Sequence, residues 1–97
     1  MTKEKTYNIL AIGDIVGKPG RKIVSQKIPW LKEHYKLHVL IANGENASGG
    51  MSLAPETVDE LFSYGIDILT SGNHIWYNKD VIPYLKSEKY LVRPANY

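Results

Sequence analysis

The stretch Tyr7-Asn8-Ile9-Leu10-Ala11-Ile12-Gly13-Asp14 decides the fold, because it is a short apolar run that ends in a glycine and a carboxylate. Two later stretches repeat the pattern: His38-Val39-Leu40-Ile41-Ala42 leads to Gly44-Glu45-Asn46, and Asp67-Ile68-Leu69-Thr70-Ser71 leads to Gly72-Asn73-His74. Compact apolar runs bounded by glycine are typical of short buried strands. The sequence therefore predicts three strands, each followed by polar residues.

Helical segments are predicted between these strands. The first connection carries apolar residues at helical spacing, namely Val24, Ile28, Leu31 and Tyr35. Pro29 lies among them and predicts a kink or a split into two helices. A second helix is predicted over residues 55–65, since proline suits a first helical turn and glycine a helix end. A third, weaker one should start at Asn78 as its cap and be interrupted at Pro83, before a short extended stretch at 90–92.

The alternation of strand and helix predicts an α/β fold with a mostly parallel sheet, because right-handed crossovers join parallel strands. Ligands bind such sheets at the carboxyl ends of the strands. We therefore expect Asp14, Glu45, Asn46, Asn73 and His74 to meet at one rim. Oxygen donors with one imidazole are ligands for a divalent metal, so the sequence predicts a metal site there.

Each of these signatures has a simpler explanation when it is taken alone. Asp14 is then a turn residue or a helix cap, residues 44–50 form a flexible loop, and Asn73 is a turn amide that bonds its own backbone. Two carboxylates at one rim would repel each other without a cation, however, and neither neighbouring segment offers an arginine. Taken together, the signatures favour a metal.

A phosphate cradle is a competing interpretation of the glycines after the first strand. Gly13, Gly17 and Gly20 fit neither the dinucleotide fingerprint nor the P-loop, and Pro19 follows Lys18 where a P-loop has Ser or Thr. Asp14 would also repel a bare phosphate. A metal between the carboxylate and the phosphate removes that objection.

Composition narrows the function further. The 97 residues allow one small domain, the net charge is only +2, and cysteine is absent, which excludes disulfides and thiolate chemistry. We find no DNA-binding module, and the apolar run at residues 9–12 is too short for a membrane span. The composition predicts a cytoplasmic protein. His34, near a helix end, and His38, at the start of a strand, are expected to be structural.

Four motifs resemble those of the YmdB-like metallophosphoesterases, a branch of the calcineurin-like superfamily. They are Gly13-Asp14-Ile15-Val16-Gly17-Lys18-Pro19-Gly20-Arg21, Ala42-Asn43-Gly44-Glu45-Asn46-Ala47-Ser48-Gly49-Gly50, Gly72-Asn73-His74-Ile75-Trp76 and Val92-Arg93-Pro94-Ala95-Asn96-Tyr97. The resemblance implies a phosphodiesterase with a binuclear metal centre on an α/β/β/α sandwich. The implied substrates are small phosphodiesters such as 2′,3′-cyclic nucleotides, or RNA ends.

The same resemblance implies a role for each residue at the rim. Asp14 matches a ligand of the first metal, Glu45 the carboxylate that bridges both metals, and Asn73 a ligand of the second. Asn46 matches a further ligand of the first metal or of the substrate phosphate. His74 matches the catalytic histidine that binds the phosphoryl group and protonates the leaving oxygen. The implied cofactors are two divalent ions, Mn²⁺ or Fe²⁺ foremost, with Mg²⁺ as an alternative.

The resemblance covers only the N-terminal half of such an enzyme. Residues 1–97 are thus expected to form a single, partial metallophosphoesterase domain whose C-terminal half, with three histidine ligands, is absent. An apolar sheet face and a strand edge should then be exposed, which predicts a homo-oligomer or a partner chain that carries the C-terminal half. Two alternatives stay open: a non-catalytic binding or regulatory fragment of the enzyme, and a structural α/β fragment without a ligand.

Overall fold

The computed structural model describes residues 4–50 and 52–96, and within them it shows an α/β fold. The strands are β1 (Ile9–Asp14), β2 (Val39–Asn43) and β3 (Ile68–Thr70). The α-helices are α1 (Gly17–Tyr35), α2 (Pro55–Ser63) and α3 (Ile82–Ser87), and 3-10 helices span Asn73–Trp76 and Lys79–Val81. The strands form a parallel sheet in the order β1-β2-β3, which confirms the predicted fold class.

The strand register brings the carboxyl ends of the three strands to one rim. Ala42 of β2 pairs with Ile12 on one side and with Leu69 on the other. The register between β1 and β2 shifts after Ile12, so that Asp14 lies opposite Asn43. This irregularity extends β1 to Asp14, two residues beyond the predicted end, and places the carboxylate at the rim.

The hydrophobic core lies between the sheet and the helices. Leu40, Ala42 and Leu69 are fully buried on the sheet face that meets Ile28 of α1 and Leu61 of α2. Alternate strand residues point to opposite faces of a sheet. The other face of β1 is open, as the 60% exposure of Ile9 shows. One face of the sheet is therefore covered by helices and the other face is uncovered at β1.

Proline acts differently from the sequence-based expectation at two positions. The helix α1 is not split at Pro29, which lies inside one continuous helix and on its exposed side, where water can bond the carbonyl left without a partner. Pro83 does not interrupt α3 but lies in its first turn, where its missing N–H has no helical partner to lose.

The C-terminal segment confirms the predicted helix cap and shortens the predicted extended stretch. Asn78 accepts a hydrogen bond from the N–H of Asp80 at 3.0 Å and so caps a helical segment as predicted, although the capped turn is of the 3-10 type. The extended stretch at 90–92 is reduced to a single parallel bridge between Leu69 and Leu91. None of the helices in the described part of the chain is long and apolar enough to span a membrane.

Candidate active site

The loop after β2 reaches across to the end of β1 through the side chain of Asn46. Its amide nitrogen donates to both carboxylate oxygens of Asp14, at 2.9 Å to Oδ1 and 3.0 Å to Oδ2. Asn46 is only 8% exposed, whereas Asp14 is exposed. The buried amide therefore fixes one side of a carboxylate whose other side is open to solvent.

The same amide holds the imidazole of His74 on its opposite end. His74 Nδ1 lies 2.6 Å from the Oδ1 atom of Asn46. An amide oxygen only accepts hydrogen bonds, so Nδ1 must carry the proton of this bond. The ring nitrogen Nε2 is then the one that can accept a proton, or donate one when the ring is charged.

Glu45 meets the backbone of His74. Its Oε2 atom accepts from the N–H of His74 at 3.0 Å, and the same oxygen lies 3.9 Å from the ring atom Nδ1. Asn43 supports Glu45 from the strand, because its Oδ1 accepts from the N–H of Glu45 at 3.2 Å and its Nδ2 donates to Oε1 at 3.4 Å. The three strand ends are thus joined in the order Asp14, Asn46, His74, Glu45.

Gly72 leaves the space that the Glu45 carboxylate occupies. A Cβ atom at position 72 would lie 2.7 Å from Oε1 and 2.9 Å from Oε2 of Glu45, closer than real Cβ atoms approach other heavy atoms. A side chain at this position would therefore displace the carboxylate. The sequence shows a glycine after a strand, but its contact across the chain could not be foreseen.

Two further residues support the site and were not singled out from the sequence. Asn43, the last residue of β2, positions Glu45, and the available signals were its place before Gly44 and its place in the second quoted motif. Arg21 of α1 donates to the carbonyl of Ala47, the residue after Asn46. Its place in the first quoted motif was the available signal, but nothing in the local pattern named its partner.

The rim carries two acidic side chains, Asp14 and Glu45. Glu45 Oε2 lies 3.9 Å from Nδ1 of His74, and Asp14 accepts hydrogen bonds from the neutral amide of Asn46. The two carboxylates are thus linked through a neutral amide and an imidazole. This donor set has the oxygen character that divalent ions prefer.

The cluster is incomplete as a metal site. Within the described part of the chain, no three side chains of the His, Asp and Glu type lie close enough together to hold an ion. Asn73 begins the 3-10 helix beside His74, but it is exposed and forms no side-chain hydrogen bond with the other four residues described here. The structure therefore links Asp14, Glu45, Asn46 and His74 by hydrogen bonds and shows no such link for the side chain of Asn73.

The other histidines have structural surroundings. The ring of His34 stacks on Trp30 with a centroid distance of 4.4 Å and an interplanar angle of 12°. His38 Nδ1 accepts from the backbone N–H of Asn8 at 2.9 Å, at the amino ends of the strands. Both are remote from the rim in the fold.

Two further hydrogen bonds between side chains lie on the helical side of the sheet. Tyr64 donates to Glu60 Oε2 at 2.9 Å, and this bond, helped by partial burial and by the charge of Glu60, raises the pKa of Tyr64 above its usual value. The pKa of Tyr84 is raised in the same way by its hydrogen bond to Asp59. Neither tyrosine belongs to the rim.

A protein family and a known enzyme match most of the length of this chain. A family profile described as YmdB-like protein matches residues 10–97. The chain is 45% identical over 89 residues to the 2′,3′-cyclic-nucleotide 2′-phosphodiesterase of Bacillus subtilis (strain 168), which covers 92% of this chain and 34% of that protein. The chain thus spans about a third of the length of that relative.

Two crystal structures share the fold. A novel phosphatase from Mycoplasma pneumoniae matches with a TM-score of 0.87 and 32% identity, over 93% of this chain and 32% of that one. A hypothetical protein from Thermus thermophilus matches with a TM-score of 0.81 and 37% identity, over 92% of this chain and 34% of that one. With the family profile matching nearly the whole chain, this protein belongs to the YmdB-like family.

Proposed function

We propose that this chain supplies part of the catalytic centre of a metal-dependent phosphodiesterase. The observation that carries the proposal is the connected set Asp14, Asn46, His74 and Glu45 at the carboxyl ends of three parallel strands. The named activity of the Bacillus subtilis relative supports a cyclic phosphodiester, such as a 2′,3′-cyclic nucleotide or a similar RNA end, as the substrate.

The carboxylate and amide oxygens of the rim residues are suitable ligands for divalent cations, and these residues would hold part of a two-ion centre. Asp14, Glu45 and Asn46 would bind one ion, while Glu45 and Asn73 would contribute to a second. When bound, two such ions would lower the pKa of a bound water and neutralise charge on the phosphoryl oxygens. Mn²⁺ and Fe²⁺ suit these ligands best, and Mg²⁺ is an alternative. Asn46 Oδ1 has two lone pairs, so it could bind an ion with one while the other accepts the Nδ1 proton of His74.

His74 is the proposed acid. With Nδ1 held by Asn46, the charged ring can donate only from Nε2. In the hydrolysis, the oxygen of a water bonds to phosphorus as the bond between phosphorus and a ribose oxygen breaks. The Nε2 proton passes to that leaving oxygen, and one proton of the water passes to solvent, from which the ring is later protonated again. Asn46 and the His74 ring would also bind the substrate phosphate.

The experiment that tests the proposal is Mn²⁺ binding by isothermal titration calorimetry, together with hydrolysis of bis-p-nitrophenyl phosphate. We expect weak Mn²⁺ binding to the 97-residue chain, loss of that binding in Asp14→Asn, and slow turnover that His74→Gln removes. Asp80→Asn is the matched control, since Asp80 is exposed and lies outside the rim. Equal Mn²⁺ binding by Asp14→Asn and Asp80→Asn would overturn the proposal.

A second candidate function is a non-catalytic binding or regulatory module of the same family. It is favoured by one observation: the described residues contain no group of three His, Asp or Glu side chains that could hold an ion. This candidate predicts that Asp14→Ala and His74→Ala leave the biological effect of the chain intact. Loss of that effect in either variant favours the phosphodiesterase instead.

The uncovered sheet face supports a proposal about partners. Ile9 is 60% exposed on the face of β1 opposite the helices, and Ala11 on the same face is also exposed. Exposed apolar sheet faces and unpaired strand edges tend to associate with another polypeptide chain. We therefore expect the 97-residue chain to pair with a second copy of itself when no chain with the remaining part of the domain is present.

A further inference from the structure

An arginine of the first helix bonds the backbone of the loop that carries Glu45 and Asn46. Arg21 Nη1 donates to the backbone carbonyl of Ala47 at 2.7 Å. Its Nε donates to Glu60 Oε2 of α2, also at 2.7 Å. One planar guanidinium therefore joins α1, α2 and the residue that directly follows Asn46.

The surroundings of Arg21 make this arrangement rigid. The Arg21 side chain is 18% exposed, and Ala47 is fully buried. Glu60 is fixed in turn by the hydroxyl of Tyr64 at 2.9 Å from the same carboxylate oxygen. Hydrogen bonds with a charged partner are stronger than neutral ones, and a guanidinium fork fixes direction as well as distance.

The loop has a second attachment to the same helix, which shows what Arg21 adds. The N–H of Gly17 donates to the carbonyl of Asn46 at 3.1 Å, so the first turn of α1 holds one peptide group and Arg21 holds the next. Two consecutive carbonyls fixed in this way leave the Asn46 side chain little freedom to turn. The direction in which Asn46 faces Asp14 and His74 thus depends on α1.

We propose that Arg21 is a positioning residue for the metal-binding and phosphate-binding loop. Its hydrogen bonds go to the carbonyl of Ala47 and to Glu60, and it acts by fixing the backbone that directly follows Asn46. The inference rests on the proposed function for its consequence in metal binding, but the positioning itself can be measured without a metal. Partners that orient metal ligands typically change affinity by about 10-fold to 100-fold when removed.

The first arm of the test is amide hydrogen exchange, read by NMR on the 97-residue chain. The N–H of Ala47 donates to Gly44 and that of Gly49 donates to Asn46, so both report on the loop. In Arg21→Ala we expect exchange at these two amides to accelerate about tenfold while the amide of Leu40 in β2 is unchanged. Lys22→Ala, which removes the neighbouring exposed cation of α1, should change neither.

The second arm is rescue. Guanidinium ion at tens of millimolar should slow loop exchange again in Arg21→Ala, whereas the same concentration of sodium ion should not. Arg21→Lys should be intermediate, because one ammonium replaces the charge but cannot make both bonds in the same geometry. If Arg21 only stabilises the fold, Arg21→Ala should accelerate exchange at Leu40 as strongly as in the loop, and that result overturns the proposal. Loop amides that exchange in Arg21→Ala at the wild-type rate overturn it as well.

The third arm separates this inference from the proposed function. We expect Mn²⁺ affinity in Arg21→Ala to fall about tenfold and to return with guanidinium. If the wild-type chain binds no Mn²⁺, the proposed function fails and the exchange data still decide the role of Arg21. If the wild type binds Mn²⁺ and Arg21→Ala binds it equally well, the positioning role is overturned and the proposed function stands.

Discussion

Replacing Gly72 by alanine should disturb the site by displacing a single carboxylate. The new Cβ would lie 2.7 Å from Glu45 Oε1, while ordinary contacts begin at 3.4 Å, so this oxygen must move by about 0.7 Å. Oε2 would lie 2.9 Å away and must move as well. The hydrogen bond from the N–H of His74 to Oε2, now 3.0 Å long, would then be lost or weakened.

The magnitude follows from the contacts that change. A hydrogen bond to a charged group contributes about 1.5–3 kcal/mol, and water can replace part of it because the Glu45 side chain is 15% exposed. We therefore expect Gly72→Ala to lower the free energy of unfolding by about 1 kcal/mol. Mn²⁺ affinity should fall more, by about tenfold, because a ligand shifted by half an ångström or more no longer matches its partners.

Gly13→Ala is the matched control. Gly13 lies next to Asp14, yet a Cβ there would meet nothing within 4 Å. Urea denaturation would give the stability of both variants, and calorimetry would give their Mn²⁺ affinities. If Gly72→Ala binds Mn²⁺ as tightly as Gly13→Ala does, the Glu45 carboxylate is not a ligand and the reasoning is refuted.

Three other predictions concern the site, the helical side and the open sheet face. Asn46→Asp should lower the free energy of unfolding of the metal-free chain by about 1–3 kcal/mol, because a second carboxylate would face Asp14. In thermal melts, Mn²⁺ should stabilise this variant more than the wild type. An unchanged melting temperature without metal would argue against the hydrogen bond between Asn46 and Asp14. The hydrogen bond to Glu60 raises the pKa of Tyr64, so this tyrosine adds stability that is complete below pH 10 and is lost as the pH rises through the raised pKa. Urea denaturation across this range should show a smaller decline in the free energy of unfolding for Tyr64→Phe than for the wild type. An identical decline would contradict the role of this hydrogen bond. Ile9→Thr should reduce self-association in size-exclusion chromatography, and a wild-type chain that elutes as a stable monomer at high concentration would rule out pairing through this face.

The sequence alone was sufficient for the parts of the fold that depend on local pattern. Apolar runs such as His38-Val39-Leu40-Ile41-Ala42 predicted strands, and the structure has this one at Val39–Asn43. The alternation of strands with helices predicted that the sheet is parallel. The meeting of Asp14, Asn46, His74 and Glu45 could be predicted because parallel strands bring their carboxyl ends to one rim. Their hydrogen bonds make this the closest agreement between expectation and structure.

What the sequence did not reveal depends on contacts between distant segments. The role of Gly72 is defined by a carboxylate that is 27 positions earlier in the chain, and the role of Arg21 by the carbonyl of Ala47, 26 positions later. Neither partner can be read from local composition. Pro29 was expected to kink α1 or split it in two, and the structure shows one continuous helix in place of the split. The exposure of Pro29 lets water bond the freed carbonyl, and exposure is set by tertiary packing.

Asn73 marks the limit of the site prediction. Its place beside His74 predicted a second-metal ligand, but the chain turns there into a 3-10 helix and leaves the Asn73 side chain exposed. A two-residue polar signature fixes where a segment lies and cannot fix which way each side chain points. Its role as a ligand therefore stays a prediction.

The most direct test of the central claim is a crystal of the 97-residue chain soaked in Mn²⁺, with an anomalous difference map recorded at the manganese edge. We expect a peak within coordination distance of carboxylate oxygens from both Asp14 and Glu45. A map in which Mn²⁺ is found only at other carboxylates, while these two keep their hydrogen bonds to Asn46 and His74, would contradict it.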